Sequence, residues 1–186
     1  IDHSHIELVG INEINPDLNN WAYTLNYDSI YGQSKKKSEV IDNKIKCDGK
    51  IISTSMESDI SKVPWKEWGA RIVIDASGVL KNTVKSRKII ENKSVEKVIF
   101  TNSPDGVDFT MILGVNEKKY NPEIHNLISS SICDATAIAP IAKIIDEFYK
   151  IRLGYVTTLH PWLSYQNLMD GPSSSWSAPG KVYHHY

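Results

Sequence analysis

Long apolar runs are missing from this sequence. No uninterrupted apolar stretch approaches the roughly 18 residues of a membrane-spanning helix, so none is expected. An excess of charge of one sign is missing too. Lys plus Arg number 21 and Asp plus Glu 22, a net charge of -1. That balance excludes the basic footprint of a dedicated nucleic-acid binder and an acidic tail. Cysteine is scarce: Cys47 and Cys133 are too few for a disulfide framework, and a reducing, cytoplasmic setting is the default. The six histidines lack metal-ligand spacing, and HExxH, CxxC and EF-hand patterns are absent, so no metal is expected. A G-x-G-x-x-G fingerprint is absent as well. The opening IDHSHIELVG has no initiator Met and none of the parts of a secretory signal. It reads as the start of a fragment or a processed product.

What is present is ordinary for a soluble globular protein: 186 residues, 41% hydrophobic and 23% charged. This length makes one domain, or one and a fraction. The run Ile6–Ile11 reads as a buried strand, and Asn15–Gly32 is mixed. SKKKSEV from Ser34 reads as a solvated face. Short strands around Val40–Ile41, Ile45–Cys47 and Lys50–Ser53 suggest an antiparallel excursion. Ser58–Ala70 reads as a short helix stopped by Gly69. Then come a strand and small-residue turn over Arg71–Gly78, a helix over Lys81–Asn92 and a strand over Val95–Asn102. Strand, helix and strand at this spacing predict parallel units and an α/β fold. Met111–Asn116 and Leu127–Ser131 are further strand candidates. From Cys133, apolar residues recur at helical spacing through Tyr149, with Pro140 inside the pattern. Ile151–His160 reads as a strand, and DGPSSSWSAPGK as a loop. A boundary near residue 132 separates a nucleotide-binding-like part from a second domain.

Cys133 lies between a predicted strand and the start of a predicted helix. The positive end of the helix dipole there favours a thiolate, a strong nucleophile toward a carbonyl. Taken alone, a lone Cys beside apolar residues is more often a buried core thiol. His160 ends the strand after the Cys133 helix. Brought back beside the thiol it would act as a proton acceptor; otherwise it is a hydrogen-bonded structural His. Asp134 opposes the thiolate unless it points outward or pairs with a cation. Asn12 and Glu13 end the first strand. An acidic residue at the end of a second strand in a dinucleotide fold binds ribose hydroxyls, but without a G-x-G-x-x-G upstream such a residue is more often a solvated turn carboxylate, and Glu13 reads so on local grounds. The Ser77–Gly78 turn reads locally as a simple strand-to-helix connection.

These pieces occur in a known order. The chain resembles the glyceraldehyde-3-phosphate dehydrogenase family from GINE (Gly10–Glu13) to DGPS (Asp170–Ser173). Between them, in collinear order, stand YDSIYG (Tyr27–Gly32), VPW (Val63–Trp65), DASGVL (Asp75–Leu80), LGVN (Leu113–Asn116), SSSICDATAIAP (Ser129–Pro140) and GYVTTLH (Gly154–His160). The resemblance implies an incomplete Rossmann-type parallel sheet over residues 1–131, lacking its first strand and glycine-rich turn. The beginning of an α+β catalytic domain would follow over residues 132–186. It implies NAD-dependent oxidation of a small aldehyde through a Cys133 thiohemiacetal and thioester, with His160 as base, in a glycolytic setting. Glu13 matches the ribose-binding acid, with Asn12 before it. Ser77 and Gly78 match the turn beside the cofactor phosphates, and Thr101 and Asn102 match the next cofactor-lining stretch. The complete protein would be a homo-oligomer, the family's tetramer.

Departures from the family pattern fall where phosphate is held. Ile132 replaces the Ser before the nucleophile and Asp134 the Thr after it. Leu163 replaces a substrate-phosphate Thr, and only Lys181 remains of a basic stretch after DGPS. Ile132 offers no hydrogen bond and Asp134 repels an anion. The expectation is therefore weakened phosphate recognition. The alternative is a catalytically impaired homologue acting as a binding or structural protein.

Overall fold

A computed structural model describes residues 5–28, 30–130 and 133–159, with only the backbone of Cys133. Ile132, His160, Leu163 and Lys181 lie outside the described residues, as does the DGPSSSWSAPGK loop. The chain divides into two compact units, Ile1–Ile144 and Ile145–Tyr186.

The first unit is α/β. It opens with β1 (Gly10–Asn12), α1 (Leu18–Asn26) and the short hairpin of β2 (Tyr27–Asp28) and β3 (Gly32–Gln33). Next come β4 (Ser38–Ile41), β5 (Lys44–Cys47) and β6 (Lys50–Ser55). The sheet order is β1-β6-β5-β4, with β1 parallel to β6 and the other pairs antiparallel. The expected antiparallel excursion is present. Its two tight turns follow from residue type: Asp42–Asn43 and Asp48–Gly49 all take positive φ, from 50° to 80°. Such values suit two-residue hairpins and favour Asp, Asn and Gly.

The helix α1 lies within the stretch read as mixed. The Asp17 carboxylate caps it by accepting the Asn19 N–H at 2.9 Å. Leu18, Trp21, Ala22 and Leu25 recur at helical spacing and pack on Ile45 and Ile52. Ile45 is fully buried, and burying such a side chain stabilises by about 1.5–3 kcal/mol.

The second sheet is wholly parallel. It contains β7 (Ile72–Asp75), β8 (Lys97–Phe100), β9 (Phe109–Thr110) and β10 (Leu127–Ser129) in the order β7-β8-β10-β9. The helix α2 (Asn82–Glu91) crosses from β7 to β8, as the spacing predicts. Its Ile89 joins Val73, Val98, Phe100 and Leu127 in one core, with Trp65 and Ile60. The helix α3 (Cys133–Tyr149) follows β10 and carries Pro140 internally.

Four sequence expectations are corrected. Ser58–Ala70 is not an α-helix. A short 3-10 turn spans Ile60–Lys62, capped by Asp59. Pro64 then pushes Val63 into an extended conformation (ψ 134°). Gly69, at φ 68°, does end the last turn. Met111–Asn116 is a turn rather than a strand. Asn116 holds it, accepting from Ile112 N–H at 2.8 Å and donating to the Thr110 carbonyl at 2.9 Å. The first strand is shorter than Ile6–Ile11, because parallel pairing to β6 covers only Gly10–Asn12. Residues 151–159 form no strand, and no strand among the described residues pairs with them. Backbone groups without a ladder partner stay hydrated, and the segment is exposed.

Candidate functional site

The parallel register brings Ser77, Gly78, Thr101 and Asn102 to one edge of the second sheet. Asp75, Phe100 and Ser129 lie side by side at the carboxyl ends of β7, β8 and β10. Ser77–Gly78 therefore follows one strand end and Thr101–Asn102 its neighbour. Ser130 follows the third, its N–H donating to the Phe100 carbonyl at 3.0 Å. Cys133 is the first residue of α3, three residues further on. Ligands in open α/β sheets bind at this edge, beyond the carboxyl ends of the strands.

Side chains rather than regular structure fix the turns here. Asp75 is buried, and its Oδ1 accepts from both the Ser77 N–H (2.9 Å) and the Ser77 hydroxyl (2.6 Å). Its Oδ2 accepts from Asn82 Nδ2 at 2.8 Å, and the same Asn82 amide reaches Ser77 Oγ at 3.2 Å. The Asp75 carbonyl accepts from the Thr101 N–H at 3.0 Å. The Asn102 carbonyl accepts from the Ser129 hydroxyl at 2.7 Å. Gly78 is exposed at φ 71°, a conformation L side chains disfavour, and a Cβ there would meet nothing within 4 Å. The backbone is thus open to a ligand that needs close approach.

Asn12 and Glu13 lie at the end of β1, in the other sheet. Asn12 is committed internally: Oδ1 accepts from Ser55 Oγ (2.7 Å) and the Glu57 N–H (2.9 Å), while Nδ2 donates to the Glu57 carbonyl (2.9 Å). The exposed Glu13 accepts from the Asn15 N–H at 3.1 Å. It borders a cavity of about 310 Å³ that Asn15, Asn20, Trp21 and Thr24 also line. A larger open groove, about 810 Å³, lies at the opposite end of the parallel strands and is lined by Arg71, Glu96 and Lys97. It contains none of the candidate residues. Asp134 is the second residue of α3, in its first turn, where a carboxylate complements the helix dipole. Among the described residues no cluster of His, Cys, Asp and Glu is arranged to hold a metal ion. None of their helices is long and apolar enough to cross a membrane.

Sequence reasoning missed Asp75 and Asn82. The signal was present as Asp-x-Ser at a strand end, a pattern in which a carboxylate bonds the backbone two residues on.

Comparison with known proteins bears on what this edge is for. A family model described as the glyceraldehyde 3-phosphate dehydrogenase NAD binding domain matches residues 1–83. Glyceraldehyde-3-phosphate dehydrogenase of Cochliobolus heterostrophus is 36% identical over 174 residues, covering 94% of this chain and 51% of the relative. That of Thermotoga maritima is 37% identical over 167 residues, covering 90% and 49%. Glyceraldehyde-3-phosphate dehydrogenase 1 of Bacillus subtilis is 31% identical over 176 residues, covering 95% and 52%. The chain is a divergent, partial match to the glyceraldehyde-3-phosphate dehydrogenase family. It spans about half the length of the curated relatives it matches.

Proposed function

We propose that this chain carries the NAD-binding part and the nucleophile of an aldehyde-oxidising enzyme of the glyceraldehyde-3-phosphate dehydrogenase type. The observation that supports it most is the shared edge: the Ser77–Gly78 turn, the Thr101–Asn102 turn and the approach to Cys133 follow three in-register strand ends. On this reading the fold is an incomplete Rossmann-type sheet over residues 1–131. Residues 132–186 begin an α+β catalytic domain.

The residues fit a dinucleotide in two respects. Gly78 leaves open backbone at the strand-end turn where phosphates would sit. Glu13 offers an exposed carboxylate beside a cavity, suited to ribose hydroxyls and hostile to a 2′-phosphate, hence NAD. Asn12 supports Glu13 by clipping β1 to the chain after β6. Thr101 and Asn102 line the next stretch of the cofactor.

In the reaction, His160 takes the Cys133 thiol proton, the thiolate forms a bond to the aldehyde carbon, and the His160 imidazolium returns that proton to the carbonyl oxygen, giving the hydroxyl of a thiohemiacetal. His160 takes the hydroxyl proton as the C–H bond breaks, leaving a thioester on Cys133. NAD, when bound, would supply the acceptor for the hydride of that C–H bond. Phosphate or water then displaces the Cys133 sulfur, releasing product. Ile132, Asp134, Leu163 and Lys181 replace or thin out phosphate-holding groups, so recognition of a phosphorylated substrate is weakened. The substrate is a small aldehyde, and the assembly is a cytoplasmic homo-oligomer.

Calorimetric titration of the full-length protein with NAD tests the cofactor reading. Alkylation of Cys133 by iodoacetamide at pH 7 tests the nucleophile. Binding, with alkylation faster than that of an exposed model thiol, is expected. NAD binding with a sluggish Cys133 would favour a catalytically impaired binding protein, and absence of NAD binding would sink the dehydrogenase reading.

A further inference from the structure

We infer that Asp75 and Asn82 are positioning residues that set the cofactor turn, an inference resting on the NAD reading above. Asp75 ends β7 with only 6% of its surface exposed, and Asn82 opens α2 at 7%. Among the described residues no cation pairs with the Asp75 carboxylate. A buried carboxylate without a cation is costly unless hydrogen bonds satisfy it. Here three donors do so: the Ser77 N–H, the Ser77 hydroxyl and Asn82 Nδ2.

A plain strand-to-helix connection does not call for this arrangement. The N-cap of α2 is Lys81, which makes no side-chain cap bond, so Asp75 is not capping the helix. Its carboxylate instead draws both donors of Ser77 inward. Gly78 is then the residue of the turn left with open, exposed backbone. The Asp75 carbonyl also receives the Thr101 N–H at 3.0 Å, with Thr101 Oγ1 at 3.4 Å. The β7–β8 ladder thus joins the two turns through the main chain, and the Asp75 side chain shapes the first of them. Asn82 fixes the carboxylate plane, because its amide bridges Asp75 Oδ2 and Ser77 Oγ.

The polarity of the Asp75–Asn82 pair supplies a test in the full-length protein, by NAD calorimetry and thermal melting. Asp75→Ala removes the acceptor shared by Ser77 and Asn82. NAD affinity of the folded protein should fall about tenfold, the effect of one charge-assisted hydrogen bond. Asp75→Asn keeps an oxygen for Ser77, and Asn82 turns its own amide over to accept from the new Nδ2. This conservative variant should stay within about threefold of wild type. A role in stability alone would move the melting temperature and leave NAD affinity of the folded fraction unchanged; that outcome overturns the inference. If Asp75→Ala does not fold, a folded Asn82→Ala variant with unchanged NAD affinity overturns it equally. Absence of NAD binding by the wild-type protein overturns the cofactor reading itself, and this inference with it.

Discussion

Ser129 donates its hydroxyl to the backbone carbonyl of Asn102 at 2.7 Å. The bond ties the end of β10, which leads to Cys133, to the turn that follows β8. Ser129 is completely buried. Ser129→Ala should therefore destabilise the protein by about 1–2 kcal/mol. An unchanged denaturation midpoint in urea would show that this link is not needed.

Gly10 packs against the indole of Trp68, and a Cβ at Gly10 would overlap that ring. Gly10→Ala is expected to cost about 1–3 kcal/mol, the usual range for overpacking. The same substitution in a Trp68→Ala background should cost much less, because the obstructing ring is gone. Equal losses of melting temperature in both backgrounds would rule out the steric explanation.

Asp59 should titrate unusually low. The Ser61 hydroxyl and N–H donate to one of its oxygens at 2.7 and 3.0 Å, and Lys85 lies 3.0 Å from the other. These contacts hold its pKa down to about 2 from an ordinary 3.8. A folded-state value below the unfolded one means the stabilisation is complete above pH 3.8 and is lost as pH falls toward about 2. Carboxyl-carbon NMR should find the midpoint of Asp59 near 2 and higher in Ser61→Ala. A folded-state midpoint near the ordinary value in wild type would contradict the assignment.

Asp108 and Arg87 should respond unequally to truncation. Asp108 Oδ2 accepts the N–H groups of Asn126 and Leu127 at 2.9 and 2.8 Å, and Oδ1 accepts from Arg87 at 2.9 Å. Burial opposes the charge, but those donors still hold the carboxyl below the usual range. Asp108→Ala strips partners from two backbone amides at the start of β10, one on the fully buried Leu127, and should cost about 2 kcal/mol. Arg87→Ala removes an exposed partner and should cost about 0–1 kcal/mol. Chemical denaturation of the two variants checks the order, and a larger loss from Arg87→Ala would refute it.

Elements whose causes are local were legible. Asp48–Gly49 marks its hairpin because two consecutive residues there take positive φ. The unit β7-α2-β8 follows from apolar runs flanking a helical pattern. Reading failed where side-chain bonds or a missing partner strand, rather than composition, decided the outcome. Met111–Asn116 has strand composition, yet Asn116 closes it into a turn. Ile151–Tyr155 has strand composition but no partner strand among the described residues. The α1 helix was legible in principle from Pro16, Asp17 and the Leu18, Trp21, Ala22, Leu25 spacing.

The sequence by itself determined the chemistry on offer: a near-neutral chain, a Cys at a strand-to-helix junction, and motifs in one family's order. Those are properties of residue type and spacing along the chain. Only the tertiary structure decided that the turns after Asp75 and Phe100 stand side by side with Ser129 and Ser130 at the end of β10, and that Glu13 ends a strand of a different sheet. It also decided which polar atoms are already committed, as at Asn12 and Ser77, and which backbone is left open, as at Gly78. The reason is strand register: non-local backbone pairing sets which residues become neighbours, and residue order does not specify it until the strands have docked.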